Sequence, residues 1–437
     1  MIFTVSAFYF SCTTKSDYET IFHNPDLYSA TVHQLNDVVM GNNFTPVVAS
    51  RNYTYAAIAG YEVIAAGNPS EYNSLAGQLK ELDKIPQPDS SKKIDFDYAA
   101  LIAYCKVGEA VTFPEGSMED YVDSLKNLAA NHGMSSELKQ NSEAYAQQVA
   151  GAILAWSKGD NYAQTRSAAK FTVLDSPGRW IPTPPAYSQA VEPHWNEIRP
   201  LVMDSANQLR VPPPPIFSIT DKNSEYYKNV MFIEKAVDSL TPEQKHIADF
   251  WDDNPFKLNV SGHVMFGTKK FSPPGHWMSI VGIAAQKAHA DYATTVYAFA
   301  TTSIAMFDAF IQCWDSKYTY NTCRPETVIN KYFNPDWRPY LQTPAFPEYT
   351  CGHSTISSAA AEALTSVFGD NFSYTDSTEL EFGIANRSFK SFRAAAEENN
   401  WARFYGGLHF HNSCIISTEY GRKVGDLVVG KLHMKKN

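Results

Sequence analysis

Ten of the chain's 25 prolines fall between Pro177 and Pro215, among them Pro182, Pro184, Pro185 and the unbroken run Pro212 to Pro215. A prolyl ring locks φ and removes the amide hydrogen, so neither a helix nor a central strand can pass through such a stretch. It must run extended over the surface, and the core has to be built from what lies on either side. There the apolar spacing is helical. Residues 52–66 place Tyr53, Ala56/Ala57, Ala59/Gly60 and Val63/Ile64 on one stripe, and residues 142–156 do the same with Ala146, Val149, Ile153 and Trp156. Residues 284–313 form a long run of alanine and aromatic residues that reads as one buried helix. Strand signals are scarce, with no turn dipeptide between alternating apolar runs. The expected fold class is all-α: an N-terminal helical half (12–170), a proline-rich connector (171–220) and a C-terminal helical half (221–437).

Composition narrows the function classes. The 437 residues are 44% hydrophobic, 14% aromatic and 19% charged, which suits a large packed core and excludes a disordered chain. A net charge of −10 argues against nucleic acid as a partner, since phosphates need a basic face. No stretch reaches the roughly 20 consecutive apolar residues of a membrane span. The six cysteines (Cys12, Cys105, Cys313, Cys323, Cys351, Cys414) have no C-x-x-C spacing and are too sparse for a disulfide scaffold. Residues 1–11 are apolar from Met1 to Phe10 and end in Ser11 before Cys12, which resembles a bacterial lipoprotein signal without the usual basic start. The expectation is an exported protein, periplasmic or membrane-anchored, with lipid on Cys12.

Three clusters in the C-terminal half carry chemistry. Lys317 and Arg324 are seven residues apart; on a helix that is two turns, with both cations on one face about 10.5 Å apart. Pro325 pushes Arg324 toward a helix end. In Phe346-Pro347-Glu348-Tyr349-Thr350-Cys351-Gly352-His353-Ser354, an amphipathic pattern (Ile356, Ala360, Ala363/Leu364, Val367) begins just beyond and stops at Gly369. Thr350 to His353 therefore lie at a helix N-terminus, where unpaired N–H groups and the dipole favour an anion. Gly352 permits close approach, and His353 is a candidate proton donor. In the third cluster Arg403 and His409 flank Gly406-Gly407. Each cluster alone fits a solvated face, a capped helix or a core histidine. Together, three cations, a helix N-terminus and two imidazoles suit a tetrahedral or trigonal-bipyramidal oxyanion.

The three clusters resemble the signature motifs shared by vanadium-dependent haloperoxidases and type 2 phosphatidic acid phosphatases, K-x6-R-P, P-S-G-H and S-R-x5-H-x3-D. Lys317, Arg324 and Pro325 match the first. In the second, Gly352 and His353 match, while Cys351 replaces the serine and Thr350 the proline. Arg403 and His409 keep the third, but Ala402 replaces its serine and Ser413 stands at the aspartate. Trp314 and Phe346 resemble the aromatic halide pocket of the haloperoxidase branch. The segments Phe250 to Pro255, Pro273 to Trp277 and the wrap around Trp180 and Pro182 to Pro200 are similar to the bacterial haloperoxidase-like subfamily.

The resemblance implies paired helical bundles and one vanadate per chain, in a site that phosphate can also occupy. Lys317, Arg324, Cys351, Gly352, Arg403 and His409 would bind the cofactor, with His409 as the vanadium ligand and His353, His409 and Lys317 catalytic. Hydrogen peroxide and a halide, iodide or bromide favoured, would give hypohalous acid. The alternatives are a soluble acid phosphatase acting on a phosphate ester with His409 as nucleophile, and a lipid-anchored protein of this fold without turnover. Cys351 should become a thiolate near the cations, and His411 or Ser413 would have to orient His409. Asp308 is a candidate partner for a cation, His276 is conspicuous, and Ser261-Gly262-His263 is a decoy lacking the cation spacing.

Overall fold

The computed structural model describes residues 16–436 apart from Gly262. The leader and lipid-anchor expectation, residues 1–12, lies outside them.

Fifteen α-helices, two short 3-10 helices and two two-stranded antiparallel sheets make up the regular structure of the described residues. The predicted stripes sit within helices Pro46–Gly67 and Ser136–Ser157. Both start where local chemistry dictates. Thr45 accepts from the Val48 amide at 3.4 Å ahead of Pro46, and Ser135 accepts from Leu138 at 3.2 Å. The few short strands agree with the scarcity of strand signals in an all-α chain. Lys257–Ser261 pairs with Val264–Thr268, so His263 of the decoy motif is part of a hairpin connection. Tyr374–Asp376 pairs with Arg387–Phe389.

The helix expected over 284–313 is two helices. Pro273–Ala288 ends at His289 in the left-handed conformation (φ 49°), and Asp291 then caps a new 29-residue helix, Tyr292–Tyr320, through a 2.7 Å bond from the Thr294 amide. This central helix is long and apolar enough to cross a membrane, contrary to the composition-based expectation. Here it is the core instead, buried without interruption from Ala298 to Lys317. It packs against Pro46–Gly67 on one side and Gly352–Phe368 on the other. One apolar cluster therefore runs from Val32 and Tyr53 to Ile356 and Val428.

The proline-rich segment forms a belt, with no regular element between Arg166 and Glu225 except a 3-10 turn at Trp195–Glu197. Asp308 fastens it. The carboxylate is fully buried on the central helix and accepts from the amides of Leu201 (2.7 Å), Val202 (2.8 Å) and Met203 (2.8 Å). It is a structural clamp and not a partner for a site cation. Gly421 and Gly425 let helix His411–Lys431 settle on Gly352–Phe368; a Cβ at Gly425 would meet Ala359 O at 2.9 Å, and one at Gly421 would clash with Thr355 O.

Replacing Asp308 with alanine strands three buried amides. Urea unfolding of Asp308→Ala should show a loss of about 3 kcal/mol; a loss under about 0.5 kcal/mol would mean that the belt is held elsewhere.

Candidate active site

The central helix ends at Tyr320 and the chain reverses through Asn321 in the left-handed conformation (φ 50°). Lys317 is therefore on the last helical turn, whereas Arg324 is the N-cap of a separate helix, Pro325–Tyr332. The expectation that both cations share one helical face is corrected, but both still point to one place. Arg324 Nε donates to Phe346 O (2.8 Å) and its Nη1 to Leu408 O (2.9 Å) and His409 Nε2 (3.0 Å). Lys317 Nζ donates to the carbonyls of Pro347 (2.9 Å), Glu348 (3.1 Å) and Thr350. An ammonium has three hydrogens, so this one is committed to the loop ahead of Gly352 rather than aimed at a ligand.

Cys351 is the N-cap of helix Gly352–Phe368, and its side chain makes no capping bond, which leaves the helix N-terminus open. The Cys351 amide donates to Ser417 Oγ (2.9 Å). Burial alone would raise the Cys351 thiol. A hydrogen bond from Cys414 and the adjacent His409 and His353 outweigh it and hold the thiol well below the ordinary cysteine range. The predicted direction holds, although its main causes are a second cysteine and two histidines. The five described cysteines are free and buried.

Arg403, on the last turn of helix Phe392–Tyr405, donates through Nη1 to Trp251 O (2.9 Å) and Asp252 O (3.1 Å). Gly407 turns the chain at φ +78° against Pro339 and Trp337, a conformation that carries His409 into the site and that a side chain would strain. His409 is 2% exposed. Its Nδ1 faces Glu348 Oε1 at 3.1 Å and its Nε2 faces the Arg324 guanidinium. A carboxylate only accepts and a guanidinium only donates, so the proton sits on Nδ1 and the lone pair on Nε2. Neither expected substitute for the motif aspartate orients this ring. His411 stacks on Trp401 (centroids 4.0 Å apart), and Ser413 Oγ donates to Glu348 Oε2 (3.2 Å).

Burial and the nearby Arg403 hold His353 well below the usual imidazole range. Its Nε2 has no hydrogen-bond partner among the described residues and lies 4.0 Å from Asp253 Oδ2. Behind it, His276 is bracketed by Asp253 (2.9 Å) and Asp376 (2.9 Å). Burial would lower His276, but the two carboxylates override it and keep the ring protonated. His353, Arg403 and Phe346 line a cavity of about 620 Å³, whose other wall is the belt at Thr183, Pro184 and Val191. Phe346 and Trp314 lie face to tilted face (5.1 Å), with the Phe346 ring 4.9 Å from both Lys317 Nζ and the Arg324 guanidinium.

An oxyanion fits this nest. Arg324 Nη2 and Arg403 Nε are buried cationic donors without hydrogen-bond partners among the described residues, and they lie near an uncapped helix N-terminus and a histidine lone pair. The structure thus gathers Lys317, Arg324, Cys351, Gly352, His353, Arg403 and His409, with Trp314 and Phe346 alongside. Sequence reasoning overlooked Glu348, Asp253 and Cys414. Glu348 had one signal: an acid in the motif loop while the third motif lacks its aspartate.

Burial lowers Lys317 to about 8. Between that value and an unfolded value near 10.4 the unfolded chain binds more protons, so Lys317 adds stability as pH rises through this window. Unfolding free energy of wild type relative to Lys317→Met should climb by up to about 3 kcal/mol from pH 7.5 to 10.5; a flat difference would contradict the burial effect.

The chain matches the family model of the VCPO second helical-bundle domain over residues 297–336 and 334–436. No curated protein matches it. Among solved structures, it is similar to the first bacterial vanadium-dependent iodoperoxidase, with a TM-score of 0.89 and 45% identity over 95% of this chain and 98% of that one. A bacterial vanadium-dependent chloroperoxidase shares the fold at 18% identity, in its holo form (TM-score 0.65, 89% and 93% covered) and in its apo form (TM-score 0.65, 89% and 94%). With 45% identity to the iodoperoxidase over nearly the whole of both chains, and an oxyanion nest built by the three motifs, this protein belongs to the vanadium haloperoxidase family.

Proposed function

We propose that the protein is a vanadate-dependent haloperoxidase that uses hydrogen peroxide to oxidise halide, iodide before bromide, to hypohalous acid. The observation that carries this reading is the pair of unpartnered buried guanidinium nitrogens, Arg324 Nη2 and Arg403 Nε, grouped with the Nε2 lone pair of His409. The 45% identity to an iodoperoxidase supports iodide as the first substrate to try.

Arg324, Arg403 and the Gly352 helix N-terminus would hold the oxygens of vanadate, and His409 Nε2 would ligate vanadium in place of its present bond from Arg324. When bound, vanadate supplies a Lewis-acidic centre that activates hydrogen peroxide without changing its own oxidation state. Lys317 secures the loop that carries Glu348 and Thr350, and its charge adds to the field from behind. Oxidising one iodide with one peroxide to hypoiodous acid and water consumes one proton. His353 is held neutral and faces the cavity, so it can take a proton from peroxide at Nε2 and return one to the departing water. Phe346, over two cations, offers the halide a flat apolar wall next to positive charge. Residues 1–12 support export with lipid on Cys12.

Iodide oxidation by the purified chain should require added orthovanadate and fall at least 100-fold in His409→Ala. Hydrolysis of a phosphate ester, with no vanadate-dependent iodide oxidation, would instead establish the phosphatase reading. With its thiol held well below the ordinary range, Cys351 donates no hydrogen bond to an anion whereas a serine hydroxyl would, so Cys351→Ser should tighten orthovanadate binding by about 1 kcal/mol, up to about tenfold by calorimetry. Weaker binding in that variant would show that the sulfur itself is favoured.

A further inference from the structure

Glu348 is 2% exposed, yet four donors meet it. Its Oε1 accepts from His409 Nδ1 (3.1 Å) and from the Phe410 amide (3.2 Å), its Oε2 from Ser413 Oγ (3.2 Å), and its backbone carbonyl from Lys317 Nζ (3.1 Å). A carboxylate removed this far from water is tolerated only when its oxygens are fully employed. Two of its partners are also what the site needs held still. His409 must present Nε2 and not Nδ1. Phe410, the N-cap of helix His411–Lys431, has no capping side chain of its own, and a negative charge there suits the helix dipole.

We propose that Glu348 is the positioning residue of the oxyanion site, fixing the tautomer and ring plane of His409 so that its Nε2 lone pair faces the nest. The duty falls to the loop ahead of the Gly352 helix, because the helix that follows His409 offers only the short hydroxyl of Ser413. Through one residue the second motif thereby fixes the histidine of the third and, by its carbonyl, the lysine of the first. That vanadate is the ligand so served rests on the functional reading above; the orientation of the ring does not.

Ser413 Oγ already lies within hydrogen-bond distance of Glu348 Oε2, so a carboxylate at position 413 can reach the same space. This gives a rescue. Histidine 15N NMR of the cofactor-free protein should show His409 protonated on Nδ1 in wild type and a mixture of tautomers in Glu348→Ala. By calorimetry, Glu348→Gln should bind orthovanadate 10–100-fold more weakly. The double variant Glu348→Ala/Ser413→Asp should regain at least tenfold over Glu348→Ala and restore the wild-type tautomer. A folded Glu348→Ala that keeps both the Nδ1 proton and wild-type orthovanadate affinity overturns the proposal. If Glu348→Ala does not fold, Glu348→Met, of similar length and without an oxygen acceptor, decides by the same two readouts. Should wild type bind no orthovanadate, the functional reading falls, and the tautomer in the cofactor-free protein still decides the role of Glu348.

Discussion

Three cations are buried around one small space, and the loops about them are built to hold them there. Lys317, Arg324 and Arg403 are each at most 1% exposed, in a chain whose net charge is −10. Burial lowers Lys317 to about 8 and Arg324 to about 10, because desolvation disfavours the charged form. Backbone carbonyls of residues 251, 252, 346–348, 350 and 408 absorb most of their hydrogens. Carbonyl dipoles stabilise a cation without neutralising it, so the site keeps the positive potential that an oxyanion needs. The loops that supply those carbonyls must be held rigid, and the buried central helix provides the fixed wall they lean on.

Glu348 stands inside that positive field. Had an acid faced a guanidinium directly, it would have formed the ordinary buried ion pair and closed the nest to ligands. Instead its oxygens meet a histidine, an amide and a hydroxyl, and the two free guanidinium nitrogens stay free. The Asp253–His276–Asp376 chain lies near the other imidazole without bonding it: an unpartnered oxygen of Asp253 sits 4.0 Å from His353 Nε2. His409 thus has an acid bonded to it from outside its own helix or turn, while His353 keeps Nε2 free among the described residues.

Much of this was legible in the residues alone. Helix-period stripes, the proline belt and the helix start at Gly352 depend on local physics, and they appear where the spacing puts them. The break at His289 was not legible, because an Ala-rich run stays helical in pattern whether or not one residue turns left-handed. The shared face for Lys317 and Arg324 failed for a related reason: Asn321 ends the helix between them, and seven-residue spacing carries no sign of that. The role of Asp308 could not be read from the residues because its partners lie over a hundred residues away on a belt without periodicity. Glu348 was quoted in the motif and passed over, since only the fold places it against His409.

The belt separates the shape of the cavity from the placement of the charges beneath it. It forms a wall of the cavity at Thr183, Pro184 and Val191 while contributing no catalytic side chain, and it is anchored to the core at separate points such as Asp308. Lengthening or reshaping it between anchors leaves the helices that set the chemistry untouched. The outline of the cavity is therefore set in part by an irregular strap, and the positions of the charged groups by the bundle beneath it.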